Sequence, residues 1–187
     1  MSKVIGITGI MGTGKTTLCT KILEKNKNIN CINVDHFRLD LRNNNKEFQK
    51  QLFDNIEGLV SLEDINKFIY TNEENMLFYK NTLYNFLNKY LKKQADSQVI
   101  VVDWALIIDD NLLDYFDKII LLTCSNEEIY RRLDGAYWPL SEVKHRVSLQ
   151  LTTDEKINKL KERKKDYLVV NTEEKISYDE IMKFIEE

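Results

Sequence analysis

The chain has 187 residues, 43% hydrophobic and 30% charged, with one Pro and six Gly; this excludes disordered, collagen-like and low-complexity classes and predicts one folded domain. A net charge of -3 and a pI ≈ 5.6 offer no basic field for nucleic acid, so the expected partner is a small molecule, with no nucleic acid and no membrane. Three Cys with no CxxC pair argue against a disulfide framework or zinc site and predict a reducing, cytoplasmic setting.

The opening MSKVIGITG lacks a basic stretch followed by an apolar core and does not read as a secretion signal. Lys3 to Thr8 (KVIGIT) is a β-branched run that stops at glycines, which predicts a buried strand. A helix from Lys15 or Thr16 to about Glu24 follows, and Asn30 to Val34 predicts a second strand. The connection 35–97 is too long for a simple crossover and reads as a helical, substrate-side insertion. Within it Asn75 to Lys92 carries Leu77, Phe78, Leu83, Tyr84, Leu87, Tyr90 and Leu91 at roughly helical spacing, predicting an inward face. Gln98 to Val102 and Lys118 to Leu122 are the clearest strands. The apolar stretch from Val99 to Ile108 is too short to span a membrane and contains Asp103. Residues 134–150 hold a Gly, Pro139 and Trp138 before a helix starting near Ser141, whose hydroxyl suits an N-cap; the segment reads as a lid. The Lys-rich run from Lys159 to Lys165 is expected to be a solvated helix face, and Tyr167 to Val170 is a fifth strand. Continuous apolar strands alternating with helices predict an α/β class, a parallel sheet of about five strands covered on both faces.

Gly9-Ile10-Met11-Gly12-Thr13-Gly14-Lys15-Thr16 is a complete G-x-x-x-x-G-K-[ST] between a predicted strand and a predicted helix. Glycines let the backbone curl with its N–H groups inward, and the helix N-terminus adds its own amides, so the loop is an anion cradle. Gly9, Gly12, Thr13, Gly14, Lys15, Thr16 and Thr17 are the candidate nucleotide-binding residues. Lys15 is expected on the β- and γ-phosphates, with the Thr16 hydroxyl on Mg²⁺. The cofactors implied are ATP and Mg²⁺.

A GTPase would show Asp-x-x-Gly and Asn-Lys-x-Asp, but the chain has Asp103-Trp104-Ala105-Leu106 and Asn158-Lys159-Leu160-Lys161. A small P-loop kinase remains, single-domain over 1–187. Asp35 and Asp103 follow predicted strands and should project at the carboxyl edge of the sheet. Asp35 is the candidate to accept or orient the proton of the attacking hydroxyl, its bland alternative a turn or cap residue. Asp103 is the candidate to hold Mg²⁺ through water or to hydrogen-bond Thr16. Arg131, Arg132 and Arg146 flank the lid; Arg146 is favoured for stabilising the transferring phosphoryl group, and pairing with Glu127, Glu128 or Glu142 is the alternative for all three. His36 and His145 have no companion ligands in sequence. Trp138 either covers substrate or packs the lid.

These residues resemble dephospho-CoA kinase. The family's Asp-x-Asp after the second strand is matched by Asn33-Val34-Asp35, and its Pro-Leu-Leu-x-Glu by Ala105-Leu106-Ile107-Ile108-Asp109. Its Arg-x-x-x-Gln before a Lys is matched by Arg146, Gln150 and Lys156, and its Asp-x-x-x-x-Asn at the last strand by Asp166 and Asn171. The family's lid arginine falls near Ala136, and its His-Pro signature is absent between Asp35 and Ser97. The resemblance implies transfer of the γ-phosphate of ATP to the ribose 3′-hydroxyl of dephospho-CoA, the insertion holding that substrate and Asn171 lying near adenine. A uridine-kinase-type nucleoside kinase shares the loop and the Asp after the second strand, and a non-catalytic ATP sensor would keep the cradle alone.

Overall fold

The computed structural model describes residues 2–94, 99–136 and 138–187, apart from the Thr71 side chain. In chain order its elements are β1 (Lys3–Thr8), α1 (Lys15–Lys25), β2 (Ile29–Asn33), α2 (Val34–Asn44), α3 (Lys46–Asn55), α4 (Ile65–Thr71), α5 (Glu73–Lys93) and β3 (Val99–Asp103). After a short 3₁₀ turn at Leu113–Tyr115 come β4 (Lys118–Thr123), α6 (Asn126–Leu133), α7 (Leu140–Ser148), α8 (Thr153–Glu162), β5 (Asp166–Asn171) and α9 (Tyr178–Glu186). The chain divides into two compact units, one of 1–33 and 96–187, the other of 34–95.

The first unit is built on a parallel sheet in the order β2-β3-β1-β4-β5. Register places Ile7 beside Asp103 and Asn33 beside Asp103 across the two ladders, so the ends of β1, β2 and β3 finish level. Ile100, Val101 and Val102, and Ile119 through Leu122, are all buried; no alternation survives because helices cover both faces. On one face Leu18, Cys19 and Ile22 of α1 and Ile181 and Ile185 of α9 join Ile5, Ile7, Val101, Ile120 and Leu122 in one cluster. Each aliphatic side chain buried this way stabilises the fold by roughly 1.5–3 kcal/mol. Gly6 lies inside β1, where a Cβ would meet Ile119 Cδ1 at 2.8 Å and Ile107 Cδ1 at 2.9 Å. It serves close packing of the strand, and only the later glycines serve the loop.

The predicted strands stand, with shifted ends. The second runs over Ile29–Asn33, and Val34 opens a helix instead of closing the strand; Gln98, expected to open the third, lies outside the described residues. The fifth is an edge strand, only partly buried.

The second unit is a helical cluster whose core contains Leu41, Phe48, Leu52, Ile56, Leu59, Ile65, Ile69, Tyr79, Leu83 and Phe86. Asn45 caps α3 by accepting from Phe48 N, and Asn72 caps α5 by accepting from Glu74 N and Asn75 N. That cap starts α5 two residues before the predicted Asn75, with Glu73 and Glu74 in the first turn and Lys92 and Lys93 in the last complementing the helix dipole. The predicted inward face stands in part: Leu83, Leu87 and Leu91 are buried and Phe78 and Tyr84 pack partly buried against the core, Tyr79, Thr82 and Phe86 join them, and Leu77 is 60% exposed. The centre of the 3.6-residue stripe runs through 79, 82, 83, 86 and 87, with Phe78 and Tyr84 at its margin and Leu77 beyond it.

The expected lid, 134–150, is anchored along its helix. Val143 and Val147 of α7 are buried with Ile10 and Ile129, and Met11 N donates to Gln150 Oε1 at 3.2 Å. Ser141 is not the cap of this helix: Pro139 holds the cap position, with no side-chain cap bond. Proline fixes the entering backbone and leaves Ser141 in the first turn.

Candidate functional site

The glycine loop joins β1 to α1, as its spacing requires. At Gly9, φ is +145° and a Cβ would stand 2.3 Å from the Leu122 carbonyl oxygen, so glycine is the residue that fits beside β4. Gly14, at φ +92°, occupies the left-handed cap of α1, with nothing within 4 Å of an added Cβ. Thr13 is buried and braces the loop from within, its hydroxyl donating to Ile10 O at 2.8 Å. Lys15 Nζ donates to the carbonyls of Gly9 at 3.0 Å and Ile10 at 3.1 Å, which folds the ammonium over the loop. Thr16 and Thr17 lie exposed in the first turn of α1.

Asp103, at the end of β3, is buried. Its Oδ2 accepts from Thr16 Oγ1 at 2.8 Å and from Asn33 Nδ2 at 2.8 Å, so the loop helix, β2 and β3 are tied through one carboxylate. The Thr16 hydroxyl and the Asp103 carboxylate are a pair of hard oxygens beside an anion cradle, a donor set that fits Mg²⁺. Beneath them Cys19 faces Cys31, and the hydrogen bond between the thiols together with burial pushes the Cys19 thiol far up from its usual range.

A cavity of about 540 Å³ opens on the loop and α1, with a far wall of Arg132, Leu133, Thr172, Ile176 and Tyr178. Arg132 organises that wall: its guanidinium donates to Gly12 O at 3.3 Å, to Thr172 Oγ1 at 3.0 Å and to Thr172 O at 3.1 Å, and Nε donates to Glu128 at 2.7 Å. The hydrogen bonds from Arg131 and Arg132 pull the Glu128 carboxyl down to about 2. Glu173 fixes the neighbouring turn by accepting from Ser125 N at 2.6 Å and Ser125 Oγ at 2.9 Å. The sequence named Arg132 only as a lid neighbour and did not point to Thr172, Ile176 or Tyr178. Its one signal was the Glu128–Arg132 spacing of four.

Other candidates lie elsewhere. Asn171 is not on the cavity wall; its amide donates to Glu174 Oε1 at 2.7 Å and its Oδ1 accepts from Glu173 N at 3.1 Å, so it shapes the turn and its neighbour Thr172 meets the cavity. Arg146 also does not line it: Nε donates to Glu142 at 2.7 Å, and the guanidinium lies 4.6 Å from the Trp138 ring centroid. Arg131 makes the helical-spacing pair with Glu128. Asp35 is in the first turn of α2, 71% exposed and 3.5 Å from Arg38 Nη2. Lys156 and Asp109 form a buried ion pair, and Asp109 also accepts from Leu151 N at 2.8 Å. Among the described residues no helix is long and apolar enough to cross a membrane.

A parallel sheet of this order with a phosphate loop after its central strand defines a P-loop protein with the fold of the P-loop kinases. The family described as AAA domain matches residues 5–177, and the chain belongs to that family. It is 27% identical over 147 residues to a Plasmodium falciparum protein named adenylate kinase isoenzyme 6 homolog, covering 78% of this chain and 72% of the relative. It is 25% identical over 145 residues to the dephospho-CoA kinase of Streptococcus mutans, covering 71% and 72%. Among solved structures it is similar to TT1252 from Thermus thermophilus (TM-score 0.71, 18% identity, 97% of this chain and 93% of that one). It is also similar to the deoxyadenosine kinase of M. mycoides with bound dATP (TM-score 0.54, 16% identity, 99% and 100%).

Proposed function

We propose that the protein is an ATP- and Mg²⁺-dependent kinase acting on a small metabolite in the cytoplasm, and that the acceptor is the ribose 3′-hydroxyl of dephospho-CoA. The observation that carries the kinase reading is the glycine cradle with Lys15 folded over it and the Thr16–Asp103 pair at its edge. The acceptor rests on the likeness to the Streptococcus mutans enzyme and on the spacings of Asp35, Arg146, Gln150, Lys156, Asp166 and Asn171.

In this reading the loop amides of Gly12, Gly14 and Lys15 bind phosphate oxygens, and the Lys15 ammonium exchanges the Gly9 and Ile10 carbonyls for the β- and γ-phosphates. Thr16 and Asp103 would hold Mg²⁺, which would supply neutralisation of the phosphate charge. Asp35 accepts the proton of the acceptor hydroxyl as its oxygen bonds to the γ-phosphorus; the bond to the β–γ bridging oxygen breaks, and ADP departs with that electron pair. Arg146 is the candidate to stabilise the transferring group, a role that requires it to leave both Glu142 and the Trp138 ring. In the same reading 134–150 acts as a lid, and 1–187 works as one kinase domain with 35–97 as its acceptor side.

A second reading, a kinase for nucleosides or nucleotides, is favoured by the likeness to the adenylate kinase isoenzyme 6 homolog. The test is ADP release with Mg-ATP against dephospho-CoA, AMP, uridine, cytidine and nicotinamide riboside. Release with dephospho-CoA alone is expected. Release with AMP or a nucleoside moves the acceptor, and silence across the panel with intact ATP binding makes the protein a nucleotide sensor.

A further inference from the structure

Three elements of the first unit meet at one carboxylate. Asp103 closes β3 and is buried, Asn33 closes β2 directly beside it in register, and Thr16 stands in the first turn of α1. Both hydrogen bonds to the Asp103 side chain fall on the same oxygen: Oδ2 accepts from Thr16 Oγ1 at 2.8 Å and from Asn33 Nδ2 at 2.8 Å. Oδ1 accepts neither of them, so it is the oxygen left to a cation or to the water around one. All of these groups lie in the unit of 1–33 and 96–187. Asn33 stands where the dephospho-CoA kinase pattern has the first acid of its Asp-x-Asp.

An amide and a carboxylate of the same size do different work at this place. The Asn33 amide has hydrogens to give, and two hydrogen bonds from separate elements to one oxygen hold the Asp103 carboxyl group in one orientation about its final torsion. An acid at position 33 has no hydrogen to give when ionised, repels Asp103, and adds a second pair of hard oxygens. Among the described residues, no three His, Cys, Asp or Glu side chains form a group able to hold a metal ion. The thiols of Cys19 and Cys31 beneath the corner bond to each other and are soft ligands, unsuited to Mg²⁺. Mg²⁺ takes an octahedral set of oxygens, drawn from one or two carboxylates together with water and substrate phosphates. With a single carboxylate at the corner, the phosphates must supply much of the rest.

We propose that Asn33 is a positioning residue for the metal: its amide holds Asp103 with Oδ1 free, and by standing in place of an acid it leaves the corner one carboxylate, so that a divalent cation binds only together with nucleotide phosphates. This rests on the kinase reading for the choice of ATP and Mg²⁺, but the role is measurable by binding alone. Asn33 acts through Asp103. Its loss is therefore read in the part of the nucleotide affinity that the metal contributes, and not in the part that the loop amides and Lys15 contribute.

The test uses the full chain, with Mn²⁺ standing in for Mg²⁺ because electron spin resonance distinguishes its free and bound forms. Calorimetry measures the affinity for the non-transferring analogue AMP-PNP with Mn²⁺ and with EDTA, and the ratio of the two is the metal's contribution. In the native protein that ratio is expected to be at least about tenfold, with no saturable Mn²⁺ site when nucleotide is absent. Asn33→Leu should cut the ratio by about tenfold while the affinity in EDTA stays within about twofold of native. Asn33→Asp should create a nucleotide-independent Mn²⁺ site that Asp103→Asn in the same chain removes. Asn33→Asp exchanges one nitrogen for an oxygen, so it carries the test if Asn33→Leu fails to fold, and melting temperatures show which variants are folded. Equal falls of both affinities in Asn33→Leu, or an unchanged ratio, overturn the positioning role. A saturable Mn²⁺ site in the native protein without nucleotide that Asp103→Asn removes, or no site gained in Asn33→Asp, overturns the single-carboxylate claim. The expected binding without ADP formation toward any acceptor retires the kinase reading and leaves the role of Asn33 standing. ADP formation with a metal contribution indifferent to Asn33→Leu does the reverse.

Discussion

At the scale of single residues, the site is organised by side chains that hold two elements at once. Asp103 is shared by Thr16 and Asn33, and Asn33 stands where the dephospho-CoA kinase pattern has an acid. An amide there donates to the buried carboxylate, whereas a second acid would repel it. Arg132 ties Gly12 to Thr172 while Glu128 receives both arginines of its helix. Because those hydrogen bonds lower the Glu128 carboxyl to about 2, the unfolded chain takes up this proton at a higher pH than the folded one. The stabilisation is therefore complete above the ordinary glutamate range and is lost as pH falls from about 4.5 through about 2. Glu128→Gln should show a shallower fall of melting temperature across that window and a constant offset above it, measured by thermal melts from pH 2 to 6. An unchanged acid limb would mean that the arginines do not bond Glu128 in solution.

At the scale of elements, Asp109 pins the β3–β4 connection to α8 through Lys156 and to the α7–α8 junction through Leu151 N. Lys156 is fully buried on α8, and burial lowers its pKa while Asp109 works against that. Breaking such a pair leaves a buried charge uncompensated, which costs about 3–5 kcal/mol, whereas replacing both partners with apolar groups is often neutral. Lys156→Met should lower the unfolding free energy by about 3 kcal/mol, and Lys156→Met with Asp109→Leu should recover most of it, read from urea unfolding. Equal losses in the single and double variants would show that the pair contributes packing alone. The two residues came from separate stretches of the sequence resemblance, and nothing in either stretch said that they meet. Strands were legible because each is a short apolar run closed by a turn. The inward face of α5 was legible only in part, because Tyr79 and Phe86 bury on one stripe while Leu77 of similar hydrophobicity lies off it.

At the scale of the whole molecule, a nucleotide that binds the folded chain must stabilise it by mass action. Mg-ATP at a hundred times its Kd should add about 2.7 kcal/mol to the unfolding free energy. In Lys15→Ala the same concentration should add far less, with the melting temperature of the unliganded protein little changed and ADP formation reduced by orders of magnitude. Parallel melts of the two proteins with and without Mg-ATP check this, and equal stabilisation would remove Lys15 from the phosphate site.

The α/β class, the phosphate loop and its position between β1 and α1 follow from sequence alone, because strand periodicity and the glycine spacing are local properties of the backbone. The meeting of Thr16 with Asp103 was offered as one of two roles for that acid, since register brings strand ends level. The Arg132–Thr172 wall and the withdrawal of Asn171 and Arg146 into pairs with Glu174 and Glu142 were decided only in three dimensions. Each depends on which side chains from distant parts of the chain share a volume and a helical phase. Chain order does not encode that without the packing that sets it.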